Sequence, residues 1–337
     1  MDVLSDVLRV VRLSGAVFFT ADLSSPWALE SPVPEMLASA VMPEAECVVL
    51  FHILVEGECE VLCKAHPVAA MQAGDVIVFP RGEQHTMRSH AAATLTPLAS
   101  IFSPGKYDEP PHLSYGGGGP TSRFVCGYLN CDQRFSPLVE ALPTMLLVRS
   151  RDDYSTIEAI DTAGSRPTVV PQGSGTWLGT TLKFTINEAR AARPGNAAML
   201  GRLTELMFVE IVREYMHSLP ADQGGWLGGL NDPSVGKALR LLHANPVRDW
   251  TVEELAREVA VSRSVLAQRF SELVGETPMR YLAAWRMQLA KQMMREGAHN
   301  IQEVATRVGY ESEAAFNRAF KRATGTPPAT WRKGTTA

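Results

Sequence analysis

The chain has 337 residues, enough for two domains that each bury a core. Its 45% hydrophobic and 20% charged residues exclude a fibrous or wholly disordered protein, and no stretch approaches the unbroken apolar length of a membrane span. The net charge of −4 hides an asymmetry: from Asp232 onward 16 Lys/Arg face 11 Asp/Glu, so a basic tail follows an acidic body, the balance expected of a nucleic-acid module fused to another domain.

The opening residues Met1–Asp6 lack the basic and apolar regions of a secretory signal. Five cysteines, an odd number in a long chain, do not form a secreted disulfide framework. A cytoplasmic protein is expected.

The first half reads as β-structure. Cys47–Lys64 is two β-rich runs broken at Glu56-Gly57, which predicts a hairpin. Ala73-Gly74-Asp75 marks a turn before the strand Val76–Phe79, which Pro80 stops. Gly116–Gly119 is expected to be a mobile loop.

Near Asn196 the pattern turns helical. Leu200, Leu203, Leu206, Met207, Val209 and Ile211 fall on one broad face, suited either to burial within the subunit or to a dimer contact. Gln223–Gly225 and Gly228-Gly229 mark a flexible boundary. After Asp232, an N-cap followed by Pro233 at the first helical position, the chain reads as all-helical.

This tail contains an internal repeat. Ser262, Leu266, Phe270, Gly275 and Pro278 pair with Ser312, Phe316, Phe320, Gly325 and Pro328 at one offset, and Ala256 pairs with Ala305 after a one-residue slip in the turn. Each copy reads as helix-turn-helix. Thr251 with Glu254, and Asn300 with Glu303, form capping boxes for the first helices. Ser262 and Ser312 cap the second helices, which the apolar i,i+4 pairs anchor inward. Gly275 and Gly325 end them.

The opposite face of each second helix then meets solvent. It offers Arg263, Ser264, Ala267 and Gln268 in the first copy, and Glu313, Ala314, Asn317 and Arg318 in the second. Guanidinium, amide and small side chains suit the edges of bases in a major groove. Lys321, Arg322, Arg286, Lys291 and Arg295 are candidates for phosphate contacts. A helical bundle with ordinary polar faces would explain one such helix pair, but not two copies sharing cap, turn, anchor and stop.

Over Asp232–Lys333 the tail resembles the AraC/XylS family of bacterial transcription regulators. The resemblance rests on Trp250–Ala256, Ser262–Phe270, Gly275–Leu282, Arg286–Ala290 and Val308–Phe320. It implies that a long helix, Met279–Arg295, joins two helix-turn-helix units whose second helices enter successive major-groove faces about 34 Å apart. By position it places base reading on Ser264, Ala267, Gln268, Glu313, Ala314 and Arg318.

Gly74-x5-Pro80-x-Gly82-x2-His85 resembles the second motif of cupins, and Phe51–Gly57, which contains His52, a degraded first motif. The resemblance implies an α+β protein: an N-terminal antiparallel β-barrel over 1–190, a helical linker and dimerisation segment over 191–230, and an AraC/XylS-type domain over 231–337, with helix-turn-helix units at 251–275 and 300–325. It implies a small-molecule effector or chemical stress signal at His52 and His85, operator DNA and RNA polymerase as partners, and a homodimer. Cys126 and Cys131 are candidates for a thiol switch or for plain burial. The alternative is a metal-dependent cupin enzyme holding a divalent ion at His85 with His52 and Glu56 or Glu58. The His-x-His pair of catalytic cupins is missing, so no catalytic residue and no cofactor are assigned.

Overall fold

The computed structural model describes residues 2–11, 14–34, 36, 47–64, 66–102, 110–131, 137–150, 155–161, 164–170, 175–191, 193–219, 225–297 and 300–335. Two compact units emerge: Val11–Ser218, and Leu219–Ala337 together with Met1–Val10. The sequence reading puts residues 1–10 with the β-rich domain; in the structure they pack with the helical one. The reason is the helix α1 (Val3–Val11), whose Val3, Leu4, Val7 and Val10 form one buried stripe.

The larger unit is built from β1 (Ser14–Ser24), β2 (Ala28–Glu30), β3 (Cys47–Glu56), β4 (Glu58–Leu62), β5 (Ala69–Gln72), β6 (Val76–Phe79), β7 (Thr86–Arg88), β8 (Leu95–Pro97), β9 (His112–Gly116), β10 (Thr121–Cys131), β11 (Met145–Ser150), β12 (Ser155–Asp161) and β13 (Gly164–Val170). They form an eight-stranded sheet, ordered β13-β12-β11-β6-β3-β10-β1-β9, and a five-stranded sheet, ordered β5-β4-β7-β2-β8. The pairings are antiparallel except β1 with β9 and β2 with β8. The expected cupin-like β-fold is thus present as two sheets rather than one closed barrel. The core joins both: Phe19, Leu54, Phe79 and Phe124 come from the larger sheet, Leu29, Val61, Met71 and Met87 from the smaller.

Glu56-Gly57 is a turn, but not the predicted hairpin. β3 pairs with β10 and β6, whereas β4 pairs with β5 and β7. Gly57, at φ 85°, passes the chain from one sheet to the other, and a Cβ there would lie 2.7 Å from the Thr121 carbonyl oxygen. Gly116–Gly119 is likewise no loose loop. The amides of Gly117 and Gly119 donate to the carbonyls of Ser24 and Ser25, which pins the turn between β9 and β10.

Short helices α2 (Leu98–Ile101) and α3 (Pro137–Glu140) precede a helical pair, α4 (Gly175–Ala191) and α5 (Asn196–Ser218). α4 packs on β3 and β12, and α5 on β1. Gly15 of β1 and Gly201 of α5 let the two backbones nearly touch, since a Cβ on either would fall within 2.5 Å of the other's carbonyl oxygen or chain neighbour. The buried face of α5 carries Leu200, Thr204, Met207, Phe208, Ile211 and Tyr215; Leu206, on the face suited to burial or to a dimer contact, is half exposed.

The helical unit continues with α6 (Trp226–Asn231), α7 (Pro233–Ala244), α8 (Val252–Glu258), α9 (Arg263–Val274), α10 (Pro278–Arg295), α11 (Ile301–Arg307), α12 (Glu313–Thr324) and α13 (Pro328–Thr335). Asp232 caps α7 through the amides of Ser234 and Val235, with Pro233 at N1 as predicted. α10 serves two cores. Its Tyr281 ring meets Phe270 edge-on and its Trp285 ring stacks on His243, while Met287, Ala290 and Met294 join the second cluster with Val304, Phe316 and Phe320.

Candidate DNA interface and a buried imidazole pair

α8 with α9, and α11 with α12, form the two helix-turn-helix units. Both capping boxes exist, with the Thr251 and Asn300 side chains accepting from the Glu254 and Glu303 amides and the carboxylates returning the bond. Ser262 and Ser312 accept from the Val265 and Ala315 amides at 3.3 and 3.2 Å. Leu266, Phe270, Phe316 and Phe320 are fully buried. Gly275 and Gly325 are left-handed at the C-termini. The slip between copies now has a location. Ala260 at φ 58° stands where Gly309 has φ 84°, and the second turn carries one more residue before its serine cap.

The outward face of α9 exposes Arg263, Ser264 and Gln268, with Ala267 partly buried. Glu253 holds Arg263 at 2.9 Å and Glu272 accepts from the Gln268 amide at 2.8 Å. Val265, which the sequence reading passed over, is also about half exposed. On α12, Glu313, Ala314, Arg318, Lys321 and Arg322 are exposed, while Asn317 is partly buried with its Oδ1 unpartnered among the described residues.

Three other candidates for phosphate contact do not stand free. Arg286 donates to the carbonyls of Pro246, Val247 and Arg248, so it clamps the turn before Trp250. Lys291 is buried, and the Arg295 guanidinium lies 5.2 Å from the Trp331 ring centroid. All three sit on α10, much of whose surface is buried against neighbouring helices.

In the β-rich unit, His52 of β3 and His85, just before β7, meet inside the core with Nε2 atoms 2.8 Å apart. Cys126 of β10, the register partner of His52, places Sγ 2.9 Å from His52 Nδ1. His85 Nδ1 faces the Glu83 carbonyl oxygen at 2.7 Å. Burial pushes the His85 pKa down to about 4 and that of His52 well below its usual value, so both rings are neutral. The partners then fix every proton. A carbonyl only accepts, so His85 carries its proton on Nδ1 and accepts at Nε2. His52 therefore donates from Nε2 and accepts the Cys126 thiol proton at Nδ1.

These rings, with Ser31, Trp27 and the apolar Phe19, Leu23, Leu29 and Phe124, border a cavity of about 40 Å³. An ion between the two Nε2 atoms would find two protein ligands, with Cys126 on the far side of His52. Glu56 and Glu58 point to solvent, Glu56 toward Arg123 at 3.2 Å. The donor set does not fit the metal centre of a cupin enzyme. Cys126 and Cys131 lie five residues apart on β10, so their backbone positions face opposite sides roughly 16 Å apart, too far for a disulfide. The Cys131 side chain lies outside the described residues.

Comparison with known proteins agrees with this geometry. A cupin family model matches residues 2–163 and 166–217, and a helix-turn-helix domain model matches residues 255–334. The chain is 28% identical to the HTH-type transcriptional regulator AlkR of Acinetobacter baylyi, over 96% of each chain. It is 28% identical to a putative AraC-like transcription regulator of Streptomyces antibioticus over 99% of each. It is 43% identical to another from Streptomyces lividans, over 44% of this chain and 49% of that one. The chain therefore belongs to the cupin family through its N-terminal two-thirds and, with its paired helix-turn-helix units, is a DNA-binding transcription regulator of the AraC/XylS type rather than an enzyme.

Proposed function

We propose that α9 and α12 read successive major-groove segments of an operator, and that the β-rich unit governs this through a small molecule held in the His52–His85 cavity. The observation that carries the reading is the shared polarity of the two helices: each buries its i,i+4 anchors and leaves its base-sized polar groups outside. Arg318 suits guanine, Gln268 suits adenine, and Glu313 suits a cytosine amino group. Arg263 must leave Glu253 to reach DNA. Lys321 and Arg322 hold phosphates.

The protein acts as a homodimer. Trp177 and Phe184 on α4, and Met199 and Leu206 on α5, are each about half exposed and recur seven residues apart on their helices. A second copy covers them. The bound dimer recruits RNA polymerase at the promoter, in the cytoplasm. His52 and His85 line the effector cavity and hold no metal.

The test is to map the genomic binding sites of the full-length protein, then titrate the mapped fragments by fluorescence anisotropy. Mapped fragments should bind at least 1,000-fold more tightly than scrambled DNA, roughly the ratio typical of specific regulators. Equal affinity for both would reject operator reading.

A further inference from the structure

The helix α9 is held by contacts of two kinds. Leu266, Phe270 and Leu273 form its buried stripe, and such non-directional contacts set its depth without fixing its rotation about its own axis. Directional bonds flank the stripe. By the helical period Arg263 and Arg269 lie roughly 50–70° to either side of it. Arg263 pairs with Glu253 of α8 at 2.9 Å, but both side chains are more than half exposed, and an ion pair in water holds little. Arg269 instead donates from Nε to Asp232 Oδ2 at 2.6 Å, and the Asp232 side chain is 1% exposed.

Asp232 is itself held from the other side. Its Oδ1 accepts from the Ser234 amide, the Ser234 hydroxyl and the Val235 amide at 2.9, 2.8 and 2.8 Å. Burial opposes its charge, yet the bonds from Val235, Ser234 and Arg269 keep its carboxyl below the usual range, so it stays ionised. One oxygen thus caps α7 and the other grips α9. The repeat lacks this device in its second copy: the position matching Arg269 is Ala319, which packs on the second core.

We propose that Asp232 is a positioning residue for base reading: through Arg269 it fixes the roll of α9 and so the aim of Ser264 and Gln268. This rests on the reading that α9 enters the major groove of an operator. A roll of about 10° moves a side-chain tip roughly 6 Å from the helix axis by about 1 Å, enough to spoil a bidentate contact to a base. The bond is already made in the free protein, so the aim is set before DNA arrives.

The test uses the full-length protein, a mapped genomic fragment, its single base-pair variants and scrambled DNA, read by fluorescence anisotropy. Arg318→Ala marks the base pairs that α12 reads; the other base pairs that wild type discriminates belong to α9. Arg269→Gln releases the grip from a half-exposed side chain. Asp232→Asn presents an N–H in place of Oδ2 while leaving a cap of similar quality. In each variant, base-pair changes opposite α9 should be discriminated about tenfold less than by wild type, and those opposite α12 as before. Scrambled DNA should bind within about twofold of wild type, with the same salt dependence. The double variant should lose no more than either single one, because both break one bond.

Weaker binding to scrambled DNA with a salt slope lower by about one would make Arg269 a phosphate contact and overturn the assignment. Equal losses opposite α9 and α12, or discrimination unchanged throughout, would make the pair a plain brace of the fold and overturn it as well. Wild-type protein that discriminates no base pair would instead refute the operator reading, and the positioning role with it.

Discussion

The thiol of Cys126 donates its proton to His52 Nδ1 across 2.9 Å, deep between the two sheets. Burial raises the pKa of this thiol far above the usual cysteine range, and among the described residues no cation sits beside it to favour a thiolate. In the native full-length protein Cys126 should therefore resist disulfide-forming reagents and alkylation, and label only on unfolding. Peptide mass mapping after a timed iodoacetamide pulse checks this. Cys126→Ser, whose hydroxyl donates in the same direction, should keep DNA binding unchanged with and without oxidant. Labelling of native Cys126 at the rate of a free thiol would refute the donor assignment.

Acid should unfold the protein sooner than its charge balance suggests. His85 titrates at about 4 and His243 at about 3, and His52 is also held below its ordinary 6.5, because burial opposes their charged forms. The unfolded chain protonates these rings near pH 6.5 while the folded chain does not. Their contribution is whole above pH 6.5 and is lost as pH falls toward 4, with His243 extending the decline toward 3. Asp6 works oppositely at the acid end, since burial raises its pKa. Urea midpoints measured from pH 7.5 to 4.5 should decline below 6.5, and His85→Gln should flatten the slope. A midpoint independent of pH over that range would contradict the buried neutral rings.

The unequal turns of the repeat give a paired stability test. Ala260 holds a left-handed backbone that Gly309 adopts freely, at a cost of about 1 kcal/mol. Ala260→Gly should raise stability by roughly 0.5 kcal/mol after the added unfolded-state entropy is subtracted. Gly309→Ala should lower it by more than about 1 kcal/mol, because its Cβ would also lie 2.8 Å from the Val247 carbonyl oxygen. Thermal unfolding of both variants decides it; a destabilised Ala260→Gly would show that the methyl group is held by contacts worth more than the strain.

This turn also shows what sequence could carry. Caps, anchors and stops are encoded within a few residues of one another, so Thr251 with Glu254 and Phe316 with Phe320 could be placed from spacing alone. The slip was visible but not the strained Ala260, because alanine gives no sign of a positive φ. Pairings set far along the chain were not legible. Whether β4 returns to β3 or joins β7 depends on Met87 and Val61 meeting across the second sheet. The docking of α1 buries Val3, Leu4, Val7 and Val10 and brings Asp6 within 3.8 Å of His243, from the other end of the sequence. His52 and His85 were singled out by motif, yet their link to Cys126 is a product of sheet register and burial.

The exposed apolar side chains of α4 and α5 predict the assembly state. Leu206→Glu and Phe184→Glu place charges on the surfaces proposed as the dimer contact, while both side chains are already half exposed within one chain. Sedimentation should move from dimer to monomer with little change in far-ultraviolet circular dichroism. A wild-type protein that sediments as a monomer at micromolar concentration would dismiss this interface.

Three basic residues should respond differently to alanine. Arg318, exposed on α12, should lose about 1–3 kcal/mol of binding to its operator and discriminate less between operator and altered sequences. Lys321→Ala should weaken all DNA binding alike and reduce the slope of log affinity against log salt by about one. Arg286→Ala should resemble neither. It removes the donor for three backbone carbonyls of the turn at 246–248, so its first effect should be a loss of about 2–3 kcal/mol in stability, since each bond to a charged group is worth more than a neutral one. Anisotropy titrations at two salt concentrations, paired with thermal melts, separate the three. If Arg286→Ala melts like wild type yet loses one unit of salt slope, the clamp is a phosphate contact after all, and α10 takes part in binding DNA.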